Sequence, residues 1–389
     1  MKTKLILLNI IFTTFLYSEC YELNQAECDY WSAYCEWNQD TNQCQNIGGG
    51  GGGGDADGPY EYATITESQG LRNGPDYRDG VLYYPIDGNP PYKNIVLTPG
   101  FGSGSSSMSS WGAFFASHGY VAMTIGPNDE INDSHYQRGE GLIDGTTTII
   151  QENSRLDSPV FGLIDENSFI MSGYSMGGGA AHDAALIAQE NGYGFIKALI
   201  SLNPTVLFEN CNYCEGSYYE GELFCICLVP ELIDHSIPSL IFAGEVEVND
   251  PAVLGYDGLL GQDMYYNMPE TTDKMLIEIA NEGHGAAAYP YGEVSEYILS
   301  WLEYQVLDND LVCESLIEPP SIASLYLTNI DCEDSLIGDV NGDTLLNIQD
   351  VILIVNLVLT AQFDSSGDLN LDNSLNIQDV ILLVNIILG

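Results

Sequence analysis

An α/β domain built on a mostly parallel sheet is predicted for the middle of this chain, and three observations carry the prediction. Short apolar, often β-branched runs recur there, longer patterned segments separate them, and glycine-rich turns follow directly on two of the runs. Such runs suit strands buried on both faces by covering helices. In order, strands are read at 94–98, 120–125, 168–171, 198–202, 240–243 and 275–279, with helical segments at 108–117, 179–189 and 294–306. This alternation argues for parallel strands joined by crossover helices, a doubly wound sheet with its active groups at the carboxyl ends of the strands.

The flanks read differently. Met1-Lys2-Thr3-Lys4 followed by the apolar run Leu5 to Tyr17 has the basic start and short apolar stretch of a signal peptide, placed at 1–18. Export to an extracellular or cell-surface location follows. The run is too short for a permanent membrane span. Ten cysteines in an exported chain point to disulfides before metals. Cys20, Cys28, Cys35 and Cys44 mark a small module at 19–47, too short for its own apolar core, and the glycine-rich stretch at 48–57 is a flexible linker. Cys211, Cys214, Cys225 and Cys227 have a spacing that also suits zinc, but export favours disulfides. Cys313 and Cys332 close a loop worth about 3 kcal/mol on the chain-entropy estimate.

Nine Lys+Arg against 56 Asp+Glu give a formal charge of −47. Phosphate backbones and anionic lipid surfaces repel such a chain, so nucleic acid is excluded as an expected partner. With 45% hydrophobic residues the chain has enough apolar surface for at least one sizeable core.

Gly173-Tyr174-Ser175-Met176-Gly177 stands at the end of a predicted strand and before a helix rich in small residues. That is G-x-S-x-G in the strand-turn-helix setting of an α/β-hydrolase nucleophile, so Ser175 is the expected nucleophile. A serine needs an imidazole to take its proton and a carboxylate to orient the imidazole, in chain order Ser, acid, His. His284 lies in a glycine-flanked loop after the last predicted strand, where the base belongs, whereas His118, His135, His182 and His235 come too early. For the acid, the stretch after Ala243 offers Glu245, Glu247 and Asp250, and residue type does not choose among them. Gly100-Phe101-Gly102, directly after a strand, is placed to offer a backbone N–H that pairs with the N–H of Met176 as an oxyanion hole.

These residues resemble the bacterial cutinases and poly(ethylene terephthalate) hydrolases. The resemblance rests on Val81-Leu82-Tyr83-Tyr84-Pro85, Pro99-Gly100-Phe101, Trp111-Gly112, Ala116-Ser117-His118-Gly119-Tyr120, the elbow through Gly179, Pro238 to Ala243, Gly283-His284 and Asp308-Asn309-Asp310 before Cys313. It implies a secreted serine carboxylic ester hydrolase occupying 58–333, with Ser175 and His284 in the triad and Phe101 and Met176 as oxyanion donors. Gapless alignment from Ile241-Phe242-Ala243 to Pro251 puts Glu247 where the family has its aspartate, with Asp250 as the alternative acid. Phe101 and Tyr174 would border the substrate cleft. Thr205 stands in Asn203-Pro204-Thr205 where a tryptophan is expected, and an insertion from Phe208 to Val229 enters near that wall. Cys313 and Cys332 resemble the family's C-terminal disulfide.

The last segment, 336–389, repeats itself at an offset of 29 positions. Asp339, Asn341, Asp343, Asn347 and Asp350 recur as Asp368, Asn370, Asp372, Asn376 and Asp379, oxygen side chains at positions 1, 3, 5, 9 and 12 of an EF-hand-like calcium loop. Thr344 and Asn373 hold position 6, where many such loops have glycine. Each loop leads into an apolar helix, 351–359 and 380–388, expected to pack together or against a partner. The pair resembles a type I dockerin, which implies structural Ca²⁺ and a cohesin-like or cell-surface partner. Two other readings compete with an ester or polyester hydrolase: an esterase removing acetyl or feruloyl groups from polysaccharide, and a catalytically silent surface-assembly protein.

Overall fold

The computed structural model describes residues 58–206, 233–253, 259–332, 337–343, 345–360, 362–370, 372 and 374–388, together with the backbone of short strands at 35–38, 43–46, 217–219 and 222–224. The expected signal peptide, the linker at 48–57, the pairing within both four-cysteine clusters, and Thr344 and Asn373 lie outside the described residues.

Strands β1 (Cys35–Asn38) and β2 (Gln43–Asn46) pair antiparallel. Among the described residues the main sheet has nine strands: β3 (Tyr62–Thr66), β4 (Asp79–Pro85), β5 (Tyr92–Thr98), β6 (Val121–Gly126), β7 (Ile164–Tyr174), β8 (Ile196–Leu202), β11 (Ser239–Gly244), β12 (Lys274–Ile279) and β13 (Ala323–Thr328). Between β8 and β11, β9 (Ser217–Tyr219) and β10 (Glu222–Phe224) form a separate two-stranded pair. The order across the main sheet is β13-β12-β11-β8-β7-β5-β6-β4-β3. From β6 to β12 every neighbouring pair is parallel. The pairs β3–β4, β4–β6 and β12–β13 at the two edges are antiparallel.

The six expected strands fall within the parallel part, and the reason is visible in their burial. Every position of β6, β11 and β12 is buried, as largely apolar runs covered on both faces require, with the buried Lys274 ammonium of β12 donating to the carbonyls of Tyr265 and Met268. One face is covered by α1 (Ser109–Ser117) and α5 (Gly292–Leu307), which bring Trp111, Phe114, Phe115, Ile298, Trp301 and Leu302 into one core. The other is covered by α2 (His135–Ser154) and α3 (Met176–Asn191), whose Ala180, Ala181, Ala184, Ala185 and Ala188 let α3 lie close to the strands. Helix α2 was not among the expected segments; it starts with a capping box in which Ser134 Oγ accepts the Gln137 N–H and Gln137 Oε1 accepts the Ser134 N–H. Short helices α4 (Gly261–Asn267) and α6 (Cys313–Leu316) complete this part. Cys313 and Cys332 are disulfide-bonded, with Cα atoms 5.7 Å apart.

In the tail, α7 (Ile348–Thr360) and α8 (Ile377–Leu388) pack against each other through Val351, Ile354, Val380 and Leu383. Ile348 and Ile352 on α7, and Ile377 and Ile381 on α8, remain exposed at equivalent places. Among the described residues no helix is long and apolar enough to cross a membrane.

Candidate active site

Strand β7 delivers Ser175 to the start of α3 through a sharp turn. Its φ of 56° and ψ of −121° are forced on a non-glycine residue, the kind of strained backbone that persists where surrounding packing over-determines it. The turn also demands bare backbone on both sides. A Cβ on Gly173 would lie 2.4 Å from the carbonyl carbon of Gly177, and one on Gly177 would lie 2.1 Å from the carbonyl oxygen of Thr98.

His284 Nε2 lies 2.7 Å from Ser175 Oγ, and its Nδ1 lies 2.5 Å from Glu247 Oε1. Glu247 and His284 are almost fully buried, and Glu247 Oε2 accepts the N–H of Gly244 at 3.1 Å. The neutral ring can therefore give Nδ1–H to the carboxylate and leave Nε2 free to accept the serine proton. A serine, an imidazole and a carboxylate in this relation can run general-base-assisted acyl transfer.

Asp250, the alternative acid, is placed elsewhere: its Oδ2 accepts the backbone N–H of His284 at 2.8 Å, and its Oδ1 accepts that of Ala252 at 2.9 Å. Tyr174, expected at the cleft border, turns its hydroxyl to the other side of the same residue and donates to the carbonyl of His284 at 2.8 Å. Asn203, which the sequence did not single out, is fully buried at φ 45°, and its Oδ1 accepts the Ala287 N–H at 2.7 Å. Trp111 Nε1 donates to the Ala288 carbonyl at 3.1 Å. The histidine loop is thus held from four directions by residues far apart in sequence. Thr205 is buried behind the serine, its N–H donating to the Ser175 carbonyl, so its side chain builds no cleft wall. Phe101 is about half exposed at the surface beside the elbow.

The other histidines serve structure. His118 Nδ1 meets the carbonyl of Phe114 at 2.8 Å. His182 Nδ1 faces His235 Nε2 at 2.9 Å, and His182 Nε2 faces Ser201 Oγ at 3.0 Å. His135 Nε2 donates to the Thr205 carbonyl at 2.7 Å. Burial is the main force that pushes His135 and His235 down to about 4 and His182 well below its usual value. The folded state therefore holds these rings neutral while the unfolded chain protonates them below about 6.5. Stability is fully present above that pH and is lost as pH falls from about 6.5 toward 4, by about 1.4 kcal/mol per pH unit per ring. Ordinary carboxylates titrate mainly below about 4.5, so easing of their repulsion adds little between pH 7 and pH 5. Denaturant midpoints are expected to fall between pH 7 and pH 5; a flat or rising profile would contradict the neutral buried rings.

The tail residues form a second candidate site. Asp350 is fully buried, Oδ1 accepting the Asn341 N–H at 3.3 Å and Oδ2 the Asn347 N–H at 2.9 Å. Asp379 repeats this with Asn370 at 3.4 Å and Asn376 at 2.8 Å. Asp343 donates its N–H to Asn341 Oδ1 and Asp339 Oδ1, and Asp372 does the same with Asn370 and Asp368. Among the described residues no three His, Cys, Asp or Glu side chains gather as a metal-binding group. Each loop instead interleaves carboxylates with asparagine amides, an all-oxygen set that suits a hard cation.

With this geometry in view, the relatives are informative. Residues 55–214 match the family model described as PET hydrolase-like. The chain is 26% identical over 254 residues to Cutinase 2 of Thermobifida cellulosilytica, a match covering 65% of this chain and 82% of the relative. It is 26% identical over 254 residues to Cutinase cut1 of Thermobifida fusca, covering 65% and 67%. It is 26% identical over 273 residues to the bis(hydroxyethyl) terephthalate hydrolase of Streptomyces coelicolor, covering 69% and 74%. The mixed sheet with its covering helices fits an α/β-hydrolase, and over this region the chain is similar to cutinases and PET hydrolase-like enzymes. It is a carboxylic ester hydrolase.

Proposed function

We propose that this chain is an exported polyesterase-type enzyme in which Ser175, His284 and Glu247 form the triad, and Phe101 and Met176 donate the oxyanion-hole N–H groups. The observation that carries the reading is the continuous contact from Ser175 Oγ through the His284 ring to the buried Glu247 carboxylate. Ser175 Oγ attacks the ester carbonyl as Nε2 takes its proton, and the oxyanion forms against the two N–H groups. Collapse breaks the bond to the alcohol, which leaves with the proton from Nε2. Water, deprotonated by Nε2, then attacks the acyl-serine and releases the acid.

The substrate class is inferred from an exposed phenylalanine beside a partly exposed nucleophile, and from relatives named for cutin and terephthalate esters. Clear turnover of short p-nitrophenyl esters and weaker release of terephthalate from amorphous polyester film are expected, because Thr205 supplies no large aromatic face and apolar clefts discriminate modestly among acyl groups. Release of acetate or ferulate from polysaccharide, with no product from the film, would instead support the polysaccharide esterase.

The module at 19–47, the linker at 48–57, the catalytic domain at 58–333 and the repeat at 336–389 are proposed as the working parts, with Cys20, Cys28, Cys35 and Cys44 stapling the first. The repeat is read as a dockerin-like module that holds Ca²⁺ on Asp339, Asn341, Asp343, Asn347 and Asp350, and on Asp368, Asn370, Asp372, Asn376 and Asp379. Bound Ca²⁺ would neutralise the loop carboxylates. Two of those, Asp350 and Asp379, are fully buried, and no Lys or Arg follows Lys274 in the chain. Calcium binding should accordingly be coupled to the order of α7 and α8, and the equivalent exposed isoleucines offer a surface for a cohesin-like or cell-surface partner. In the full chain, millimolar Ca²⁺ is expected to protect the backbone amides of 338–388 from hydrogen exchange relative to chelator, while esterase activity is unchanged. Equal exchange in both conditions would show that the repeat is only a hydrophobic helical pair.

A further inference from the structure

Arg138, on the first turn of α2, carries a guanidinium that is 1% exposed. Burying this cation is costly unless its donors are met, so its partners show what it is for. It donates from Nη1 to the carbonyls of Pro99 at 3.1 Å and Gly100 at 3.4 Å, from Nη2 to the carbonyl of Glu130 at 2.9 Å, and from Nε to that of Asp133 at 3.4 Å. The Glu130 carbonyl also accepts the N–H of Gly102 at 2.8 Å. The fork therefore ties 99–102 to the loop between β6 and α2.

A trans peptide is planar, with its C=O and N–H pointing to opposite sides. Holding the Gly100 carbonyl from the Arg138 side consequently turns the N–H of Phe101 the other way. The nucleophile adjoins this loop: a Cβ built on Gly100 would stand 3.0 Å from the Cβ of Ser175. We propose that Arg138 is a positioning residue of the esterase, aiming the Phe101 N–H at the developing oxyanion by gripping the Pro99 and Gly100 carbonyls from behind. The inference rests on the triad and oxyanion hole proposed above and adds the residue that sets one of its two donors. Nη1 meets both successive carbonyls while Nη2 and Nε hold those of Glu130 and Asp133, a spread of donors that a lysine ammonium does not span.

The test compares wild type, Arg138→Lys, Arg138→Met and Ser175→Ala on a short p-nitrophenyl ester and on its thionoester, whose sulfur is a poor acceptor for oxyanion donors. In Arg138→Met, kcat is expected to fall about 10²-fold, the scale of losing one oxyanion donor, with KM little changed. Arg138→Lys, which keeps the charge, is expected to lose most of the same kcat. In both, the ester-to-thionoester rate ratio should fall toward one, a shift that general loosening of the fold does not produce. Should the methionine variant fail to fold, the lysine variant and its rate ratio decide. An unchanged ratio in a folded variant, or a kcat within threefold of wild type, would overturn the role of Arg138 while Ser175→Ala remained inactive. Activity retained by Ser175→Ala would overturn the underlying triad instead.

Discussion

Replacing Ser175 with alanine is expected to lower kcat for ester hydrolysis by about 10⁴-fold or more, the typical loss on removing a triad serine. The residue sits at φ 56°, and alanine meets the same backbone strain as serine there, so the variant should fold and melt close to wild type. What disappears is the nucleophile together with the 2.7 Å contact to His284 Nε2. Residual rate would come from the oxyanion donors and binding alone. Near-normal turnover by a folded variant would rule out the serine mechanism and revive the reading of a scaffold protein.

Glu247→Gln should be nearly as damaging, about 10⁴-fold in kcat, because an amide facing Nδ1 no longer holds the ring in the tautomer that leaves Nε2 free. Asp250→Asn should cost far less, on the order of tenfold or below, since an amide oxygen can still accept the His284 N–H that Asp250 now accepts. The ranking separates a carboxylate that touches the imidazole from one that holds its backbone. Steady-state kinetics of both variants on one soluble ester decide it, and the reverse order would contradict the placement of the two side chains.

The central parallel strands were legible because burial on both faces leaves a largely apolar run, and β6, β11 and β12 are buried at every position. Edge strand β13 escaped notice because it is only half buried and so lacks that signature. Helix α2 escaped because His135 to Ser154 carries three glycines and many polar side chains, although Ser134 and Gln137 do announce a capping box. Ser175 and His284 are marked by local motifs. Residue type left the acid open among three carboxylates and the family resemblance favoured Glu247 over Asp250; in the fold Glu247 touches the ring and Asp250 holds the His284 backbone. Asn203, Tyr174 and Arg138 act through contacts spanning 38 to 110 positions, for which no local pattern exists. The tail was legible as a repeat because each loop writes its oxygen positions directly into the sequence.

The most direct test of the account is mass spectrometry of the protein after inactivation by a fluorophosphonate. One adduct on the peptide containing Gly173 to Gly179 is predicted, located on Ser175, forming much more slowly in Glu247→Gln and absent from Ser175→Ala. An adduct on any other residue, or esterase activity that survives with Ser175 fully modified, would contradict the assignment of this site.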